Sequence, residues 1–564
     1  MTFWRGGSLV IKDDLTRLVA QAIRKAQRKG DLPKFDVPEI TLEHPRQAEH
    51  GDYATPVCLQ MARLARMAPV EIARQVVKRL PRIEAIGQVE IAHPGYINIT
   101  LSEHWLTRQV SDILTTGETW GNISLGQGRR VQVEYGSANP TGPLHIGFAR
   151  NVVLGDGIAN VLDAAGYDVQ REYYVNDAGT QMNLFGKTIY ARYAQALGRD
   201  EPFPEGGYPG SYIEEWARQI AAEEGDKYLH MPREEAVPIL RDLGLAKALA
   251  CIREDVGSLG IYYDSWFSER TLYDEGYFDR IMTILRQGDY LFTREGAVWF
   301  AATRLGADKD EVIIRSNGEP GYFASDIAYH YHKFVVRGFD WVIDVWGADH
   351  QGHVPRMKAM MQALGLDPDR LTLLIYQLVT LKRSGEVVRL SKRKGEIITL
   401  REIVDEVGPD AVRFFLLSRS ADSQMDFDLD LAKEQSERNP VYYVQYAHAR
   451  IASILRYAAE QGVTSEGGDV SLLTHPSELA LIRQMLLLPE VIEQAALNLA
   501  PHHLTYYAQD LAAAFHVFYR DCRVVSSEPA DAAISRARLK LAHAVKIVLA
   551  RTLRLMGMTA PESM

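Results

Sequence analysis

The chain has 564 residues, 63 Lys and Arg against 73 Asp and Glu, a net charge of −10 and 46% hydrophobic residues. One hydrophobic core rarely grows past about 250–300 residues, so several domains are expected, and a charged fraction of 24% disfavours a disordered, collagenous or coiled-coil chain. No run approaches the roughly 18 apolar residues of a membrane span, the N-terminus lacks a secretory signal pattern, and Cys58, Cys251 and Cys522 lie far apart with no C-x-x-C pair. A cytoplasmic chain with no disulfide framework and no zinc ribbon is therefore expected. The acidic total argues against nonspecific coating of nucleic acid, which depends on cationic surface, while leaving local basic patches open.

Residues 1–110 read as a self-contained α/β module with 16 Lys and Arg against 12 Asp and Glu. It has a basic helix through residues 15–30, a loop through Pro33 and Pro38, helical stretches around Gln60 and Val76, and a strand-like run over 88–101. A turn-rich linker with four glycines follows over 115–128. From Arg129 the pattern is a short apolar strand, a Gly/Pro turn, a helix from about His145 to Ala165, and the strand DVQREYYV. Strands separated by helix-length segments predict an α/β fold with a parallel sheet. The stretch from about 188 to 320 reads as an acidic insertion, sheet pattern resumes over 341–347 and 372–381, and beyond Arg401 the period is helical, ending in an amphipathic run over 533–556. The expected domains are 1–110, 126–400 and 401–564.

The most informative segment is SANPTGPLHIG, residues 137–147, which leads from a strand's end into a helix. Such a turn aims helix N-terminal N–H groups and the positive end of the dipole at whatever sits above the strand, which suits a phosphate. Asn139, Pro140, Thr141, Gly142 and Pro143 shape the turn, His145 can donate to a phosphoryl oxygen, and Gly147 leaves room for a flat ligand. No G-x-G-x-x-G is present here, and the GKT at 186–188 fails as a P-loop because Gln181 stands where the first glycine is required. Downstream, Lys382–Lys394 holds six cations against the single acid Glu386, with Gly385 inside and Gly395 at its end. That segment reads as a cationic loop suited to phosphoryl groups, or as a solvated basic hairpin. His350 and His353 beside Asp349 make a weak metal signal without an HExxH, and no metal site is expected.

Together these segments resemble the class I aminoacyl-tRNA synthetases, and within them the arginyl-tRNA synthetases. The His-x-Gly-His signature stands as His145-Ile146-Gly147-Phe148, departing at Phe148, which cannot donate to a triphosphate; the lysine-serine-lysine signature stands as Arg389-Leu390-Ser391-Lys392-Arg393, followed by Lys394. The resemblance implies a Rossmann-like parallel-sheet catalytic domain with an insertion, an N-terminal α/β module touching the tRNA elbow, carried by HGDYATPVCLQMARLARMAP, and a C-terminal all-α bundle for the anticodon. It implies catalysis by His145, Lys392, Arg393 and Lys394, and ATP, with Mg2+ as a substrate partner, held by Pro143, His145, Gly147, Phe148, Gly347, Asp349, Ser391 and Lys392. Arginine would meet Glu134, Ser137, Asn139, Tyr322, Asp326 and His350, with Asn176 and Asp177 nearby at a strand's end.

By the same resemblance Tyr442, Tyr446, His448, Arg450 and Arg538 would meet tRNA, with Tyr443 and Arg413 in the same region. Unstacked loop bases are read by stacking and edge hydrogen bonds, which suits those aromatics. The implied reaction is ATP-dependent ligation of L-arginine to the 2′-hydroxyl of the terminal adenosine of tRNA(Arg), through an arginyl-adenylate, by a monomer that activates arginine only with tRNA bound. Three rivals stay open: a small-molecule adenylyltransferase, a synthetase for another amino acid with Asp326 as discriminator, and a tRNA-binding paralogue that does not charge, which rests on Phe148.

Overall fold

The computed structural model describes residues 10–388 and 398–564. Five parallel strands form the central sheet: β1 (Arg130–Glu134), β2 (Asp168–Val175), β3 (Ser265–Ser268), β4 (Trp341–Gly347) and β5 (Leu371–Tyr376), in the spatial order β5-β4-β1-β2-β3. A parallel sheet covered on both faces needs near-continuous apolar runs, and Val131, Val133, Ile343 and Val345 are buried accordingly. The chain steps from β1 outward to β2 and β3, then returns to the other side of β1. In such sheets the ligand crevice opens above the strand carboxyl ends where the order reverses, here between β1 and β4.

The helix Ile146–Ala164 lies on this reversal and is buried along most of its circumference. Asn151 ties it down: its Oδ1 accepts the Gly136 N–H at 2.5 Å and its Nδ2 donates to the Val345 carbonyl at 2.8 Å, joining the ends of β1 and β4. Gly155 permits the close approach, since a Cβ there would overlap the Tyr135 ring. Gly155→Ala is expected to destabilise the protein by about 1–3 kcal/mol through overpacking, read as a lower denaturation midpoint.

The stretch expected to be one insertion is interrupted by the sheet itself. Helices Gly179–Ala196, Ser211–Glu224 and Arg233–Ser258 pack around their own core. Then β3 joins β2, pairing Glu172 with Ser265, and only afterwards does a separate antiparallel sheet of Leu291–Arg294, Ala297–Phe300 and Glu311–Ile314 appear. Four residues, SWFS, are too short for a periodic signal. The apolar run over 372–381 likewise divides: β5 ends at Tyr376, and Val379–Arg383 turns into a side sheet beside Met425–Asp428, a strand in the part read as helical.

The N-terminal module has helices Ile11–Arg28, Val57–Ala65 and Pro69–Arg79 around a sheet of Tyr53–Thr55, Ile86–Ala92 and Tyr96–Leu101. It docks on the C-terminal helices through Glu490, which accepts the Tyr53 hydroxyl at 2.6 Å, and through Arg483, which donates to Asp52 at 2.6 Å. Those helices are Pro440–Glu460, Pro476–Leu486, Leu488–Asn498, His502–Asp521 and Ala532–Leu555. Arg413, grouped with the RNA-facing residues by resemblance, is fully buried: it donates to the Met556 carbonyl at 2.7 Å, the Leu259 carbonyl at 3.0 Å and the Asp156 carboxylate. No helix among the described residues is long and apolar enough to cross a membrane.

Candidate active site

His145 is the N-cap of the helix Ile146–Ala164, and its Nδ1 accepts the Gly147 N–H at 3.0 Å. That bond places the ring proton on Nε2, where it can donate outward, while partial burial holds the imidazole below its ordinary pKa and therefore neutral. Phe148 packs its ring edge-on to His145 at 4.7 Å and so steadies the donor it cannot replace. A Cβ at Gly147 would meet the His145 ring at 2.7 Å, so the glycine makes room for the imidazole. Pro143 lies in the partly exposed turn, and at Gly142 a Cβ would meet the Tyr212 hydroxyl at 2.6 Å, so the helix Ser211–Glu224 closes over the turn.

On the far side of this turn the chain returns in antiparallel pairing: Leu400 N–H donates to the Leu144 carbonyl at 2.7 Å and His145 bridges Thr399. Ser391, Lys392, Arg393 and Lys394 lie outside the described residues, in the segment that ends at this pairing.

At the end of β1, Glu134 is buried; its Oε1 accepts the Ser137 hydroxyl at 3.0 Å and its Oε2 accepts Lys333 Nζ at 2.6 Å. Burial pushes the Glu134 carboxyl above its usual range, opposed by the Lys333 ammonium. Asn139 is exposed and its Oδ1 accepts the Asn176 amide at 3.1 Å. Asp177 is committed to the fold, accepting Ser268 Oγ at 2.7 Å and the Arg270 N–H at 3.2 Å.

Asn176 opens onto a cavity of roughly 290 Å3 that Glu269, Tyr273, Arg315, Tyr322 and Ser325 also line. Tyr322 and Asp326 sit four residues apart on the helix Tyr322–Tyr331 and therefore share one face. Tyr322 is exposed at the rim with the Arg315 guanidinium 5.5 Å from its ring centroid. Burial, reinforced by Glu269, Glu134 and Asp344 and opposed by His330, pushes Asp326 up to about 7. Burial also raises Glu269, whose carboxylate accepts Ser325 Oγ at 2.7 Å. The region is an excess of carboxylates in low dielectric, which a cation would relieve.

Gly347 ends β4, and the short turn Ala348–His353 carries Asp349 and His350 outward, both exposed and 3.5 Å apart. Among the described residues no three His, Cys, Asp or Glu groups are placed to hold a metal ion.

On the C-terminal helices Tyr446 is exposed and stacks on Tyr442 at 5.9 Å, and Arg450 lies over Tyr519 at 5.0 Å. Two residues expected to face RNA point inward. His448 is buried with Nδ1 2.8 Å from the Pro561 carbonyl, anchoring the chain's end. Arg538 donates to buried Glu478 at 2.7 Å and to the Arg523 carbonyl at 2.9 Å. Sequence reasoning missed Glu269, Ser325 and Lys333; for Glu269 the signal was its place at the carboxyl end of β3, which could be read only once that strand was known.

Comparison with known proteins accords with this geometry. Residues 13–101 match the family described as Arginyl tRNA synthetase N terminal domain, 109–202 match tRNA synthetases class I (R), catalytic domain, and 444–564 match the DALR anticodon binding domain. The chain is 53% identical over 556 residues to an arginine–tRNA ligase of Dehalococcoides mccartyi strain CBDB1, covering 99% of each. It is 49% identical over 561 residues to that of Heliobacterium modesticaldum, covering 98% of this chain and 99% of the relative. The Thermus thermophilus arginyl-tRNA synthetase structure shares the fold, with a TM-score of 0.75 over 98% of this chain and 100% of that one at 24% identity. With relatives this similar along nearly its whole length, the chain belongs to the arginyl-tRNA synthetase family.

Proposed function

We propose that the chain ligates L-arginine to the 2′-hydroxyl of the terminal adenosine of tRNA(Arg), using ATP with Mg2+ as substrate and releasing pyrophosphate and AMP. The observation that carries this reading is the cavity lined by Glu269, whose carboxylate lies near that of Asp326, and joined through Asn176 and Asn139 to the turn headed by His145. Such a site takes a cationic side chain and a phosphate-bearing partner side by side.

ATP lies across the turn from Pro143 to Phe148, with Gly347 and Asp349 towards its adenosine; Ser391, Lys392, Arg393 and Lys394 are assigned to its phosphates by their match to the family's signature alone. Glu134, Ser137, Asn139 and His350 face the polar α-end of arginine, and Tyr322 and Asp326 the guanidinium: a carboxylate matches its fork, and an aromatic face its plane. A carboxylate oxygen of arginine attacks the α-phosphorus, the bond to the bridging oxygen breaks, and pyrophosphate leaves with the electron pair. The 2′-hydroxyl then attacks the adenylate carbonyl, loses its proton and displaces AMP. The work asked of the protein is positioning and charge neutralisation rather than covalent help. Tyr442, Tyr446 and Arg450 offer a stacking surface for unpaired bases.

His145→Ala is expected to lower kcat for arginine-dependent pyrophosphate exchange about 100- to 1,000-fold, the effect of losing one preorganised donor to a developing oxyanion, with a smaller change in KM for ATP. The reading as a whole is tested by exchange with each amino acid, with and without tRNA. Exchange with arginine only when tRNA is present supports it. Exchange with a different amino acid overturns the pocket assignment, and none under any condition favours a tRNA-binding paralogue.

A further inference from the structure

Lys333 has no place in the site as read from sequence, yet it is fully buried between two acids of adjacent strands. Glu134 of β1 and Asp344 of β4 are direct neighbours across the sheet, and Lys333 Nζ lies 2.6 Å from one and 2.8 Å from the other, with the Tyr329 ring centroid 4.1 Å away. The ammonium arrives there on a single π-turn, His332–Val336, that follows the helix carrying Tyr322 and Asp326. π-Turns are rare and concentrate at functional sites.

Two hydrogen-bonded chains start at this ammonium. One runs through Glu134 to the Ser137 hydroxyl, which in turn accepts the Tyr174 N–H at 3.1 Å. The other runs through Asp344 to His330 Nε2 at 2.8 Å, and from His330 Nδ1 to the Asp326 carbonyl at 2.8 Å. The first ends at a group proposed for the α-end of arginine, the second at the backbone of the residue proposed for its guanidinium. A paired charge in low dielectric is held by every bond around it, so both ends are fixed to one point.

Resting on the proposed arginine reading, we infer that Lys333 is a positioning residue that sets the spacing between the two ends of the amino-acid site and thereby selects side-chain length. Lys333→Met and Lys333→Gln in the full-length chain test this by exchange kinetics with arginine and with homoarginine, one methylene longer. The expected result is a fall in kcat/KM for arginine of about 100-fold, carried mainly by KM, because misplacement by about 1 Å has effects of that size. The preference for arginine over homoarginine is expected to drop about tenfold, the scale of discrimination that one methylene supplies.

His330→Phe cuts the second chain while leaving both ion pairs of Lys333 in place, and it supplies the test even where the Lys333 variants do not fold. It is expected to relax the same preference. An unchanged preference in the folded variants, even with a lower melting temperature, assigns Lys333 to the fold alone and overturns the inference while the arginine reading stands. Absence of arginine-dependent exchange in the unmodified chain overturns both.

Discussion

Asp326→Asn is expected to lower kcat/KM for arginine about 100- to 1,000-fold, matching the roughly 3–4 kcal/mol lost when one partner is stripped from a desolvated charge pair. The unmodified protein should show a distinctive pH profile as well. Burial first, then Glu269, Glu134 and Asp344, hold the Asp326 carboxyl at about 7 against the opposing His330, with Tyr174 and Tyr273 also facing it. Only the carboxylate can pair with a guanidinium, so below pH 7 a proton must leave before arginine binds. KM for arginine should therefore be flat above about pH 7 and rise about tenfold per unit as pH falls below it. The asparagine variant should lack that inflection. Exchange kinetics between pH 5.5 and 8.5 check both points, and an inflection that survives in the variant would assign it to another group.

Arg413→Met is expected to destabilise the protein by about 3–5 kcal/mol, because it leaves the Asp156 carboxylate buried without its partner and strips donors from two buried carbonyls. The Leu259 carbonyl ends the long helix Arg233–Ser258 and the Met556 carbonyl caps the last helix of the chain, so three separate parts lose a common anchor. The space for the guanidinium is itself specified: Gly557, at φ +70°, abuts it, and any Cβ there would overlap it. Urea midpoints for Arg413→Met and for Arg413→Met with Asp156→Asn check this assignment. The double variant should recover part of the loss, since a neutral amide is easier to bury than an unpaired carboxylate.

Much of the framework was legible because it rests on local signals. The helix expected from about His145 to Ala165 spans Ile146–Ala164 with His145 as its cap, and the strands at β1, β2 and β4 follow the apolar runs. What stayed hidden depends on partners far away in the chain. Lys333 in AYHYHKF reads as an ordinary surface lysine until Glu134, 199 residues earlier, comes to meet it. Arg538 reads as a basic residue on an amphipathic helix, and only Glu478, 60 residues away, turns it inward. His448 shares a helix with the exposed Tyr446, yet a two-residue step on a 3.6-residue period moves it to the buried side. Asp344 did carry a signal: an acid inside the apolar run WVIDVWG is a buried charge that must be paired.

The buried helix Ile146–Ala164 bears on how the parts of this chain are inherited. Its Arg150 donates to the carbonyls of Gln377, Ser420 and Ser423, its Asp156 meets Arg413, and a Cβ at its Gly157 would meet Leu417 at 3.0 Å and Pro501 at 3.4 Å. The helix capped by His145 is thus walled on its outer face by residues of the C-terminal third. Severed near residue 400, the half that holds the parallel sheet would expose an apolar, partly charged seam in place of a finished surface. The three sequence families that match along the chain are therefore not exchangeable parts: transplanting the C-terminal helices would require their partner surface on the helix Ile146–Ala164 to travel with them.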